Sequence, residues 1–409
     1  MPSIELVGFV AGILLLVSIF ASKLANQFGV PSLLLFLFTG WLVEHFTAID
    51  LTNPAIAKFV GDFALIFIIF TGGLDTRWQQ VKPVIFSGVK LATLGVLLTM
   101  LLMGIFIWLI LGSYSTFSLG TEGLPLNKAF LLAAIISSTD AAAVFSVLRS
   151  SRTELRGNLQ PLLELESSSN DPMAVLLTTT ILSQMAGENI SILASGMMLI
   201  SQLLIGTLLG YGLGRLDSYL LNHLGLATQG LYAVGSLALV LFIYSFSVFL
   251  NGNGYLAVYV AGLVLGNHPL IHREYISNFH EGFTWLMQII MFVTLGMLSV
   301  PYQATLGSLA LVAVIIGLFL MFVARPVSVF VSLAGSGIPW REQGLIAWVG
   351  LRGAVPIVLA TFPLALGMEQ AGEMFVVVSI LVVMSLLGQG FTLATVARWL
   401  GLTAPGEIT

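Results

Sequence analysis

An apolar stretch near the middle of the chain, ELESSSNDPMAVLL from Glu164 to Leu177, carries three carboxylates, an asparagine and a proline. Asp171 lies about halfway along that stretch's helix and has no basic residue beside it in sequence. Desolvation at such a depth penalises a bare carboxylate, so the group gains by holding either a proton or a cation, one at a time. Pro172 removes the amide that would bond the Ser168 carbonyl and biases Asp171 away from regular helix, which sets the acid beside softened backbone. On a helix Glu166 and Asn170 share one face, while Ser167 and Asp171 share the next, about 100° away.

Two other stretches carry charge at depth. IISSTDAAAVF places Asp140 after Ser137, Ser138 and Thr139. Such residues suit helix caps better than lipid-facing surface, so the run predicts a break, with Thr139 or Asp140 capping the second half. Oxygens freed at a break are hard ligands suited to an alkali cation, and irregular backbone at this depth must be buried or line a cavity. VGLRGAVPIVL sets Arg352 between Gly350 and Gly353, with Pro356 taking away the amide partner of the Arg352 carbonyl. A cation beside freed carbonyls is favoured. A buried arginine also needs a carboxylate, and the expected partner is Glu166. Asp140, Glu166 and Arg352 are thus read as structural charges. Glu164 is read as a rim residue at a watery entrance, and Asp62 and Glu281 as span-end residues that reach water.

The elements that must position these side chains are helices in a bilayer. Of 409 residues, 57% are hydrophobic and 8% charged, with a mean hydropathy of +1.02; a soluble domain carries about 25% charged residues. Apolar blocks of the length one span requires recur about thirteen times. The tenth is expected from Phe283 to Val300 and the eleventh from Leu306 to Leu333. This is an all-α polytopic membrane protein. With the N-terminus outside and the C-terminus cytoplasmic, twelve lysines and arginines, Arg325 among them, fall at cytoplasmic ends, and two, Lys58 and Lys128, fall outside. No basic residue precedes the first apolar run, which argues against a cleaved signal peptide.

Several function classes are excluded by what the sequence lacks. The net charge is −4 with no polybasic stretch, so nucleic acid is not a partner. Without cysteine there is no disulfide, thiolate metal site or thiol catalysis. The five histidines fall in connectors or at span ends, and no phosphate loop, zinc signature or nucleophile elbow occurs. The reading is a non-enzyme without a cofactor, whose partners are its transported ions and the lipid bilayer.

The chain echoes itself. PSLLLFLFTGWLV (Pro31 to Val43) resembles GYLAVYVAGLVLG (Gly254 to Gly266), and IFTGGL (Ile69 to Leu74) resembles FVTLGM (Phe292 to Met297). Thr71 then aligns with Thr294, and Gly73 with Gly296. The members of each pair cross in opposite senses, which predicts inverted repeats with a substrate site near the midplane. The first repeat covers about 6–185, a connecting helix about 192–213, and the second repeat about 230–400, within one transmembrane domain over 1–409.

SSTD in a broken fifth helix, ESSSND in the sixth and GLRGA in the twelfth together resemble the NhaP type of monovalent cation:proton antiporters, relatives of the eukaryotic sodium/proton exchangers. The resemblance covers essentially the whole chain. It implies two inverted repeats with broken, crossing helices five and twelve, and a homodimer in which a mobile bundle works against a dimerisation domain. It further implies that Asp171 binds cation and proton in competition, that Ser167 and Thr139 lie near the ion, and that Glu166 and Arg352 form a buried pair. Asn170 and Thr71 are expected with Asp171, Ser167 and Thr139 among the ion- and proton-binding residues, and Asn170 occupies the position where asparagine accompanies electroneutral exchange. One departure is Thr71, which stands where some sodium-transporting members have a glutamate. A weaker field of neutral oxygens tolerates a larger cation, so potassium becomes a serious substrate beside sodium. The sequence stops about nine residues past its last helix, which implies the absence of the cytoplasmic tail some members carry.

The combined reading is a secondary active antiporter of the cell inner (plasma) membrane, serving pH homeostasis by exchanging K⁺ or Na⁺ for H⁺ at Asp171 through alternating access. The alternative is an organic-anion symporter of related architecture, which would present cationic groups or half-helix N-termini without a lone titrating carboxylate. An intramembrane enzyme would need a nucleophile with its base, or metal ligands, at depth.

Overall fold

Lipid offers no hydrogen-bonding partner, so apolar runs of this length must satisfy their backbone internally, and they do so as helices. The structure, a computed structural model, describes residues 4–28, 31–46, 53–112, 123–187, 192–299 and 303–403. Helices α1 (Ile4–Phe28), α2 (Ser32–Phe46), α3 (Pro54–Asp75) and α4 (Trp78–Leu111) come first. The fifth span is split into α5 (Leu126–Ile135) and α6 (Ala141–Ser150), and α7 (Leu159–Met185) follows. Next are α8 (Ile192–His223), α9 (Gln229–Phe249), α10 (Gly254–Asn267) and α11 (Arg273–Leu298). Helix α12 covers 303–332, the twelfth span is split into α13 (Trp340–Trp348) and α14 (Ala354–Ala365), and α15 (Ala371–Trp399) closes the order.

Thirteen spans are therefore present among the described residues, and the fifth and twelfth are interrupted at SSTD and GLRG as expected. Among those residues seven helices are long and apolar enough to cross a bilayer without interruption. The helices overrun the apolar blocks: α11 starts at Arg273, well before Phe283, and α8 continues to His223, well past Leu213. A helix keeps its backbone bonds in the polar turns beyond the hydrocarbon, where hydropathy no longer marks it. The expected end of the tenth span, Val300, lies outside the described residues.

Prolines bend the rule less than expected at one place. Helix α7 runs unbroken through Pro172, so Asp171 sits in regular helix and not beside unwound backbone. The orphaned Ser168 carbonyl is the local cost. In α12 a wider turn at Leu320–Ala324 precedes Pro326, which cannot donate to the Phe322 carbonyl.

The echoing segments meet reciprocally. Helix α2 of the first half packs on α11 of the second, and α3 packs on α10. A Cβ on Gly73 of α3 would sit 2.2 Å from the Tyr259 carbonyl oxygen, and one on Gly262 of α10 would sit 2.3 Å from that of Phe70. Backbones this close admit only glycine, and the same exchange recurs at the counterpart interface of α2 and α11, where a Cβ on Gly296 would sit 2.1 Å from the Leu37 carbonyl oxygen and one on Gly40 2.0 Å from that of Val293, as a two-fold relation between repeats requires. A second group of helices, α4 to α7 with α12, α14 and α15, packs around the two breaks, and α14 joins it to α3.

Gly262→Ala should lower thermal stability in detergent by at least the 1–3 kcal/mol typical of overpacking, about the same as Gly73→Ala. Gly212→Ala, with open space around it, should be neutral or slightly stabilising.

Candidate functional site

The two breaks satisfy each other. After α5 ends, 137–140 leave the helix, and the Asp140 amide donates to the Leu351 carbonyl in the other break at 2.8 Å. Arg352 is 1% exposed. Its Nη1 donates to the Ser137 carbonyl at 2.8 Å and also to that of Ser138, which are carbonyls at the C-terminal end of α5. Its own amide donates to the Ser385 hydroxyl at 3.0 Å. The guanidinium thus stands where a cation complements a helix dipole, though on the fifth span and not on its own. Pro356 falls in the first turn of α14, where an amide has no helical partner to lose.

Asp140 is the N-cap of α6, accepting from the Ala143 amide at 3.1 Å, and its carboxylate also meets the Ala354 amide at the start of α14. A Cβ on Gly353 would fall 1.6 Å from Asp140 Oδ2. Glycine at 353 is what lets one carboxylate serve two helix N-termini.

The expected pairing of Glu166 is corrected. Glu166, 1% exposed, forms its ion pair at 2.5 Å with Arg325 of α12, not with Arg352. Arg325 is 3% exposed, so its charge is buried against the protein. The carbonyls freed at the break take Arg352 Nη1, and the Glu166 carboxylate makes its direct ion pair with the other buried arginine.

On α7 the two faces divide as their spacing predicts. Asn170 is wholly buried, and Thr139 engages both ends of its carboxamide: Oδ1 accepts the Thr139 amide at 3.2 Å and Nδ2 donates to Thr139 Oγ1 at 2.6 Å. Thr139 Oγ1 also bonds Ser167 Oγ at 3.0 Å. Asp171 turns instead into a cavity of about 930 Å³ that it shares with Asp140, Ser167 and Ser168. Its Oδ1 has no hydrogen-bond partner. Thr71 also lines it, with Thr284 of α11, their hydroxyls 2.8 Å apart.

The cavity mouth carries the exposed Asp75, Arg149 and Glu281. Glu164 lines it as the rim reading expected, reached by the Thr76 hydroxyl at 3.5 Å. Asp62 does not simply face water, since it pairs with Lys58 at 2.5 Å and accepts from Tyr255 at 3.2 Å. Arg325, Thr284 and Asp75 are the residues that sequence reasoning passed over. Only Arg325 left a signal: an arginine inside a long apolar run is itself a sign of a buried partner.

No group of three or more histidine, cysteine or acidic side chains gathers as a metal site among the described residues. What the geometry offers is a buried carboxylate with one oxygen unpartnered among the described residues, in a cavity that also carries hydroxyls and further acids.

A family profile described as "Sodium/hydrogen exchanger, transmembrane" matches residues 12–399. The chain is 39% identical over 412 residues to the K(+)/H(+) antiporter NhaP of Alkalimonas amylolytica, covering 100% of this chain and 69% of that one. It is 38% identical over 402 residues to the K(+)/H(+) antiporter NhaP2 of Shewanella oneidensis, covering 97% and 67%. The fold matches the sodium proton antiporter MjNhaP1 of Methanocaldococcus jannaschii with a TM-score of 0.81, at 24% identity over 96% of this chain and 98% of that one.

Removing one partner of a buried ion pair costs about 3–5 kcal/mol, and removing both costs less. Glu166→Gln and Arg325→Gln should therefore each lower thermal stability strongly and show a coupling of about 1–3 kcal/mol when combined. The same cycle between Glu166 and Arg352 should give the smaller coupling. Thermal unfolding of the single and double variants measures both.

Proposed function

The chain belongs to the transmembrane sodium/hydrogen exchanger family, and from that premise we propose that it exchanges one monovalent cation for one proton at Asp171, with potassium accepted as well as sodium. The observation that carries this is Asp171 lining the cavity with one buried oxygen unpartnered among the described residues, next to an Asn170 whose carboxamide is engaged by Thr139. The organic-anion alternative loses its footing, since the half-helix N-termini at the crossing are already met by the Asp140 carboxylate, which puts an anion of the protein's own at that side of the cavity.

Charge counting supports the one-for-one ratio. A carboxylic acid is neutral, and a carboxylate with a monovalent cation is neutral as well. Asn170 adds no charge to either form, and Asp140 is compensated by two helix ends. The loaded site then crosses without net charge in both directions.

Potassium is supported by two things. The relatives at 38–39% identity are named K(+)/H(+) antiporters. The cavity that Asp171 lines also holds the neutral Thr71 and Thr284 side chains, where a carboxylate would strengthen the field. Sodium costs more to dehydrate than potassium, so a weak field compensates potassium more fully.

The orientation belongs to the same reading. The bias of Lys and Arg supports a cytoplasmic position for the ends near Arg149; on this reading the cavity opens inward with the N-terminus outside, and alternating access closes it against α3 and α11. The assembly is a homodimer in the plasma membrane. Repeats over about 6–185 and 230–400, joined by a helix at about 192–213, supply the two-fold relation.

In proteoliposomes with a preset pH gradient, K⁺ or Na⁺ should dissipate the gradient, an imposed membrane potential should not change the final ion ratio, and Asp171→Asn should abolish exchange. Because proton and cation compete, the apparent KM for the cation should rise as pH falls. Retained activity in Asp171→Asn would refute the site. Thr71→Glu should shift preference toward sodium, and unchanged selectivity would remove Thr71 from the ion's surroundings.

A further inference from the structure

Threonines inside these spans mostly return their hydroxyl to their own helix. Thr39, Thr76, Thr93, Thr99 and Thr294 each donate to the carbonyl four residues back. Thr71 and Thr284 depart from this habit: the one hydrogen bond either hydroxyl makes is to the other, across from α3 to α11. A hydroxyl has one proton and two lone pairs. The pair consumes one proton and one lone pair, which leaves three lone pairs and one proton unspent. Both residues line the Asp171 cavity.

The repeat relation shows that this is not a general feature of the scaffold. With Thr71 aligned to Thr294, the counterpart of Thr284 is Gly61. Thr294 bonds back to Ile290 at 2.8 Å, and Gly61 is pressed on Val358, whose Cγ1 would lie 2.7 Å from a Cβ there. Where one repeat seals the joint with an apolar contact, the other presents two hydroxyls to a cavity. The wall is also close to the ion-site helix, since a Cβ on Gly72 would come 3.5 Å from Ser168 Oγ on α7.

We propose that Thr284 is a specificity-determining residue, which with Thr71 presents a cross-helix pair of neutral hydroxyl oxygens to the dehydrated cation opposite Asp171. This rests on the reading of Asp171 as the exchange site. The pair has a geometric consequence of its own. Because each hydroxyl is held by the other and not by its own helix, losing Thr284 releases Thr71 to bond back to α3, so the cation loses oxygens from both.

The test is pH-gradient dissipation in proteoliposomes with K⁺ and Na⁺ assayed separately for wild type, Thr284→Val, Thr284→Ser, Thr71→Val and the double valine variant. Valine keeps the shape of threonine and removes the hydroxyl. Thr284→Val should raise the apparent KM for K⁺ between about two- and tenfold, the range one net hydrogen-bonding contact spans. It should keep the maximal rate within about twofold and change the K⁺ to Na⁺ preference. Thr284→Ser should restore wild-type values, and the double variant should be little worse than either single one. Unchanged KM and preference in Thr284→Val, or failure of serine to rescue, would overturn the assignment in favour of plain packing. Exchange that survives in Asp171→Asn would overturn the underlying site instead, so the two failures are told apart.

Discussion

Two interrupted helices that supply each other's missing partners are what the rest of this protein depends on. A break at membrane depth frees carbonyls at one half-helix end and amides at the next, and an unpaired one costs several kcal/mol in hydrocarbon. Here Arg352 from the twelfth span takes the Ser137 and Ser138 carbonyls of the fifth, and Asp140 from the fifth faces the first amides of α6 and α14. A backbone bond from Asp140 to Leu351 pins the crossing. Opposite charges sit at opposite dipole ends, and among the described residues no ion pair joins them directly.

From that arrangement follows the division of labour among the acids of α7. With Arg352 satisfied by backbone, Glu166 neutralises Arg325 instead, tying α7 to α12. Asn170 bonds Thr139 through both ends of its carboxamide, so it ties the broken span to α7, and it is not among the residues that line the cavity. Asp171, one residue on and about 100° around the helix, is left without a compensating charge. A single uncompensated carboxylate is the economical way to make proton and cation mutually exclusive.

The cavity gains its chemical character from both helix groups. One wall holds the carboxylate with Ser167 and Ser168, and the other holds the Thr71 and Thr284 hydroxyls on α3 and α11. Close glycine contacts between α3 and α10 make that second wall rigid, because backbones in contact have no side chain to yield. A site divided between a rigid wall and a bundle held by its crossing is suited to opening and closing by relative movement of the two.

Much of this was legible in the order of the residues. Hydropathy, the Ser/Thr run before Asp140 and the glycines around Arg352 determined thirteen spans and both breaks, because a bilayer leaves a chain few ways to bury its backbone. Helical spacing likewise separated Asn170 from Asp171. Which buried charge pairs with which was decided only by tertiary structure. Glu166 had two arginines within reach of a plausible fold, and the choice fell to Arg325 because distant backbone carbonyls had already claimed Arg352. Thr284 was silent for a similar reason: a lone threonine carries no sign of whether it bonds its own helix or a neighbour's. Sequence constrains what each helix must satisfy, and the packing of helices far apart in the chain decides from where.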